Sequence, residues 1–139
     1  MIPLRYGLAA VLLLGASLHA DAVEVVVNPS IKEHALALNS LRAIFSMRMT
    51  QWQDGTPIRV FVLGDKNPHH AAFSKQILGV FPHQLRRAWN RQIYSGTGQA
   101  PNKVETAAEM RYQIENTPGA IGYLPKEQLN EHIRTIEIE

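Results

Sequence analysis

The sequence predicts an α/β fold, a three-layer-type sandwich in which a small, mostly parallel sheet is flanked by helices. Three observations carry this. Short β-branched runs at residues 23–27 and 58–63 alternate with stretches of helical periodicity. A third apolar run, residues 120–124, follows a Pro-Gly pair that stops a helical stretch. Alternation of this kind builds parallel sheets, because parallel neighbours need a crossover and the crossover is usually a helix. No internal repeat, low-complexity segment or linker interrupts the pattern, so one domain is expected over residues 23–139.

The elements follow in order. VEVVV, residues 23–27, is short and β-branched and reads as a buried strand, broken by Asn28-Pro29-Ser30. Leu41, Ile44 and Phe45 then recur at helical spacing, with Asn39 or Ser40 as the expected N-cap, since a side-chain oxygen there satisfies an orphan N–H. Asp54-Gly55 supplies a tight turn and Pro57 blocks helix. IRVFVL, residues 58–63, is the second strand. GDKNPHHAAFSKQILG, residues 64–79, is a turn that launches a helix over 68–78, with Phe73, Ile77 and Leu78 on its apolar side. Pro82 opens the next helix, where a missing N–H costs nothing. Leu85, Trp89 and Ile93 share one face of it, and His83, Arg86, Arg87 and Arg91 spread over the other. Residues 95–102 read as a loop. Ala107, Met110, Tyr112 and Ile114 supply the apolar positions of a last helix, ended by Pro118-Gly119. AIGYL, residues 120–124, is the third strand, and IRTIEIE, residues 133–139, alternates as one fourth, edge-like strand.

The first 22 residues are not fold material. Arg5, an apolar run and the closing Ala20-Asp21-Ala22 have the layout of a secretory signal peptide with cleavage after Ala22. The apolar run is short of the roughly 20 residues of a permanent span. No later segment is apolar enough to insert, so a soluble periplasmic domain is expected after cleavage. The absence of cysteine excludes a lipoprotein anchor, disulfides and thiolate chemistry.

A net charge of +2 does not argue for nucleic acid. Its distribution says more. Between Asp65 and Glu105 there is no carboxylate, while Lys66, Lys75, Arg86, Arg87, Arg91 and Lys103 all fall there. A basic middle concentrates an anionic ligand or partner.

No catalytic signature and no cofactor motif is present, so an enzyme is not expected. His69 and His70 are adjacent, about 100° apart on a helix, and do not face one metal ion. Anions suit the pattern better. With Asn67 as N-cap and Pro68 first in the helix, the N–H groups of His69 and His70 point from the helix end towards an oxyanion. A protonated histidine adds charge there in mild acid. The loop Ser95-Gly96-Thr97-Gly98 offers a second set of backbone N–H groups.

Leu41, Ile44, Phe45, Trp52, Asp54, Gly55, Pro57, Ile58, Val60 and the block Pro118 to Tyr123 together resemble the second lobe of the phosphate-binding proteins of ABC transporters, within the type 2 periplasmic binding protein superfamily. The match runs from about Val25 to Leu124. The resemblance implies one lobe of such a protein, exported and soluble. It also implies a place for the ligand, since the family grips phosphate with a Ser-Gly-Thr helix start preceded by an arginine. Here Asn67, Pro68 and His69 stand at the helix start, Leu63 near the arginine, and Met47 near a usual glycine. The chain after cleavage suits one lobe rather than two, and an uncovered lobe face is compatible with a homodimer.

Two functions are expected on this footing. One is an exported solute-binding-like module that takes phosphate or another oxyanion at Asn67, His69 and His70, helped by Ser95, Gly96 and Thr97, and feeds a transporter. The other is an accessory protein that docks through Arg86, Arg87 and Arg91 onto an acidic sensor or transporter partner.

Overall fold

The computed structural model describes residues 22–96 and 98–139; the expected signal peptide lies outside them, except for Ala22, as does Thr97. The main sheet takes strands from both ends of the chain: β1 (Val23–Val27), β3 (Arg59–Val62), β4 (Asn102–Lys103), β5 (Ala120–Pro125) and β6 (Arg134–Thr135), with β2 (Ala35–Leu36) and β7 (Glu137–Ile138) forming a separate parallel pair. The order across the sheet is β4-β3-β5-β1-β6. β3 runs parallel to β4 and β5, while β1 is antiparallel to β5 and β6, with Val25 opposite Tyr123. Four of the five strands therefore point the same way and β1 runs against them, which is the mostly parallel sheet expected.

Helices cover both faces. α4 (Ala107–Asn116) lies on one, where a side chain at Gly122 would meet Met110 Sδ at 2.6 Å and Ile114 Cδ1 at 3.0 Å. Only glycine allows that approach. The next residue, Tyr123, points to the opposite face, where it stacks on Phe73 with centroids 4.1 Å apart and meets Phe45 at 6.2 Å. That face carries α1 (Leu38–Phe45), α2 (Pro68–Ala72) with its π-helical continuation Phe73–Leu78, and α3 (Pro82–Tyr94). Trp89 Nε1 donates to Phe45 O at 2.7 Å and ties α3 to α1. β5, covered on both sides, is buried throughout, as expected of a strand between two helical layers.

Several local expectations are corrected by contacts distant in sequence. α1 begins at Leu38 behind Ala37, not behind Asn39 or Ser40, and no side chain caps it. The Leu38 N–H donates instead to Glu139 O at 2.9 Å, so β7 does the work of a cap. Residues 133–139 do not make one strand. Ile136 is buried between β6 and β7, its N–H bonded to Val25 O, and the chain passes from one sheet to the other there. Asn102, read as the end of a loop, forms the edge strand β4 with Lys103. Ile93 and Tyr112, placed on apolar faces, are exposed. Met47 has φ 66°, a left-handed conformation that favours glycine, at the position where the family resemblance puts one.

Candidate functional site

The end of β3 is where the sheet opens to solvent. The chain leaves β3 at Leu63, turns through Gly64 to Lys66, closes the turn with Asn67 N–H on Gly64 O at 2.9 Å, and enters α2. Asn67 is the N-cap, as expected. Its Oδ1 accepts the His69 N–H at 2.9 Å. Pro68 has no N–H to offer, and the Ala71 N–H bonds Asn67 O at 3.1 Å.

The two histidines then part ways. His69 is half-buried at the surface. His70 is fully buried beneath the turn. Its Nδ1 lies 2.5 Å from the Tyr123 hydroxyl, which accepts the Leu63 N–H at 2.9 Å. The hydroxyl's own proton has no other acceptor among the described residues, so it goes to His70 Nδ1, which places the ring proton on Nε2. That nitrogen has no hydrogen-bond partner among the described residues and faces Asp65 Oδ1 at 3.8 Å. Burial holds the His70 pKa below its usual value, with Asp65 opposing the shift. The imidazolium expected in mild acid is therefore not supplied by His70 in this arrangement. Burial likewise raises the Tyr123 hydroxyl far above its usual range.

Above the buried histidine lies an open depression of about 480 Å³, lined by Gly64, Asp65, Lys66, Asn67, Arg86, Lys103 and Glu105. Three segments build it: the β3–α2 turn, α3 through Arg86, and the β4–α4 connection through Lys103 and Glu105. Arg86 Nε and Nη2 donate to Asp65 Oδ2 and Oδ1 at 3.1 and 3.0 Å, and the guanidinium lies 5.3 Å from the Trp89 ring centre. The Arg86 bond keeps the Asp65 carboxyl below its usual pKa. Arg86 thus turns inward to this depression, whereas Arg87 and Arg91 are exposed and make no ion pair among the described residues.

Ser95, Gly96 and Gly98, the described residues of the second loop, do not line the depression. Their N–H groups close the end of α3: Ser95 bonds Arg91 O, Gly96 bonds Ile93 O and Gly98 bonds Gln92 O. These are the orphan carbonyls of a helix C-terminus, so those N–H groups are not turned outward to an anion. Sequence reasoning passed over Asp65, Lys103 and Glu105 as site residues. The one available signal was Asp65 as the last acid before the long basic interval.

Two further cavities gather less charge. One of about 460 Å³ beside β3 has Arg59 as its one charged lining residue; an apolar one of about 200 Å³ has Arg42 and Arg48. No group of three or more metal-ligating side chains occurs among the described residues, and no helix among them is long and apolar enough to cross a membrane.

Comparison with known proteins bears on the fold. An ABC-type phosphate transport receptor from Vibrio cholerae superposes with a TM-score of 0.67 at 15% identity, over 85% of this chain and 46% of that one. A putative phosphate ABC transporter substrate-binding protein with bound phosphate from Clostridium perfringens gives 0.67 at 15%, over 85% and 45%. PstS from Borrelia burgdorferi gives 0.66 at 16%, over 86% and 47%. The chain thus spans somewhat less than half the length of each. No curated protein sequence matches it. The family model described as "PBP superfamily domain" covers residues 17–132, and on that match, with the lobe-like fold beside it, the chain belongs to the periplasmic-binding-protein superfamily.

Proposed function

We propose that the chain is an exported solute-binding-type lobe that holds a small oxyanion in the depression at the end of β3. The supporting observation is the meeting of Lys66, Arg86 and Lys103 there against two carboxylates, Asp65 and Glu105, which leaves an excess of positive charge. Cations in an open concave site attract and orient an anion, and arginine in particular suits planar, two-pronged recognition of one. The structure from Clostridium perfringens, similar in fold, is of a protein with bound phosphate, which makes phosphate the first ligand to test. In this reading residues 1–22 are a signal peptide, residues 23–139 act in the periplasm, and delivery is to an ABC transporter. Asn67 lines the site, His69 stands beside it without lining it, and His70 lies buried behind Asp65. Nothing is transformed: the role is capture, not catalysis.

The test is calorimetric titration of the purified protein with phosphate and sulfate at low salt. Saturable binding is expected, weakened about tenfold or more in Lys66→Ala/Lys103→Ala, because charge-assisted contacts are the strong ones. Absence of both heat and thermal stabilisation with every oxyanion sinks the reading.

A second reading has its own observation. Arg87 and Arg91 stand exposed on α3 and make no ion pair among the described residues, which fits docking onto an acidic sensor or transporter surface. In the same experiment Arg87→Glu/Arg91→Glu leaves oxyanion binding intact if those residues serve only a partner.

A further inference from the structure

Asp65 already occupies the place on Arg86 that an oxyanion would take. Its two oxygens accept from Nε and Nη2 of one guanidinium, at 3.1 and 3.0 Å. This is the fork by which arginine holds carboxylates and phosphates alike. Both side chains remain partly exposed, 49% for Arg86 and 37% for Asp65, so an incoming anion reaches the pair.

A second partner waits behind Asp65. His70 Nε2 lies 3.8 Å from Asp65 Oδ1, in a ring that is fully buried, and it has no hydrogen-bond partner among the described residues. The Tyr123 hydroxyl on Nδ1 fixes the tautomer so that Nε2 carries the proton. A buried donor left unmatched is costly. A movement of Asp65 by about 1 Å brings it to hydrogen-bond length.

We propose that Asp65 is a built-in competitor of the ligand: an oxyanion binds by displacing Asp65 from Arg86, and the displaced carboxylate moves onto His70 Nε2. This rests on the oxyanion reading of the same depression and adds how the site is held when no ligand is there. It also defines what the ligand must be. A tethered carboxylate competes at high effective concentration. Only an anion that fills both prongs of the fork and brings more charge than one carboxylate displaces it, which favours dianionic tetrahedral oxyanions over monoanions such as chloride.

The exchange has a proton signature. The groups that face His70 are Tyr123 from β5, Asp65 from the β3–α2 turn, and Arg86 and Trp89 from α3. With Asp65 on Arg86, His70 stays neutral by burial and Asp65 stays ionised. With Asp65 on His70, the carboxylate favours a proton on the ring, and Asp65 itself loses the bond that lowered its pKa. Both changes favour proton uptake. Linkage is reciprocal, so oxyanion affinity rises as pH falls.

Sulfate is the probe, because it carries no titrating proton in the neutral range and leaves any uptake to the protein. Calorimetry near pH 6 in two buffers of different ionisation enthalpy reads affinity and proton uptake together. The wild-type protein takes up a fraction of a proton as sulfate binds. Asp65→Asn, at an exposed position, binds sulfate about three- to tenfold more tightly and with little uptake, and Asp65→Ala does the same. Sulfate binding that is equal or weaker in both variants overturns the competitor role while the oxyanion reading stands. If neither wild type nor variants bind, the oxyanion reading falls and this one with it.

Discussion

β3 and β5 run side by side, and their two ends are built on opposite terms. At the start, hydrogen bonds converge on Gly119. Trp52 Nε1 and the Arg59 N–H both donate to Gly119 O, at 3.0 and 3.1 Å, and the Gly119 N–H reaches Ser30 Oγ at 3.2 Å. Gly119, with φ 80°, lies so close to Pro57 that a Cβ would fall 2.3 Å from its carbonyl oxygen. At the far end, Asp65 and Arg86 hold each other at a solvent-open depression, over a buried His70 Nε2 with no hydrogen-bond partner among the described residues. One end is locked by geometry and the other is left with an unmade bond. The residues that reveal the family, Trp52, Pro57 and the Pro118 to Tyr123 block, sit mostly at the locked end. The family resemblance is therefore evidence for the scaffold, while the proposed anion site lies at the end where the residues differ.

The sharpest way to break this contrast is Gly119→Ala. A left-handed backbone and a clash with backbone oxygen should cost about 3 kcal/mol or more, read from urea denaturation. A loss below about 1 kcal/mol would mean that the locked end yields easily. Next is Tyr123→Phe, which keeps the ring stacked on Phe73 but orphans the Leu63 N–H and His70 Nδ1. Its cost should be about 2 kcal/mol, and a neutral result would show that water reaches the open end. The smallest effect is on pH. His70 has a depressed folded pKa, so the unfolded chain binds its proton first as pH falls. Stability from this group is complete above the unfolded value of about 6.5 and declines below it, by at most about 1.4 kcal/mol per pH unit. Thermal denaturation across that range should show the slope in the wild type and lose it in His70→Gln. A slope unchanged by that substitution would assign it to other groups.

The sequence made the scaffold legible because its signals are local. VEVVV, IRVFVL and AIGYL each carry enough β-branched or apolar character to declare a strand, and Asn67-Pro68 declares a helix start. What stayed hidden depends on partners far along the chain. Leu38 needs no side-chain cap because Glu139 supplies an acceptor, and a single pass along residues 37–40 cannot reveal that. Asn102–Lys103 is a strand only because β3 lies beside it. The site was half legible for the same reason. Asn67 caps as its local pattern says, yet the position of His70 is set by Tyr123, and the engagement of Arg86 is set by Asp65. The Ser95-Gly96 turn looked outward because a helix end has to be seen in place before its carbonyls are known to claim those N–H groups.

β1 lies between β5 and β6, both contributed by the opposite end of the chain. It is the first strand to be made and the last to be sealed. Until those neighbours arrive, Val25, Val26 and Val27 present a bare β-branched edge, the kind of segment that pairs with copies of itself. The long closure also slows folding relative to the helices, which need only near neighbours. Refolding yield should accordingly depend on protein concentration, falling as copies meet before β5 and β6 cover that edge.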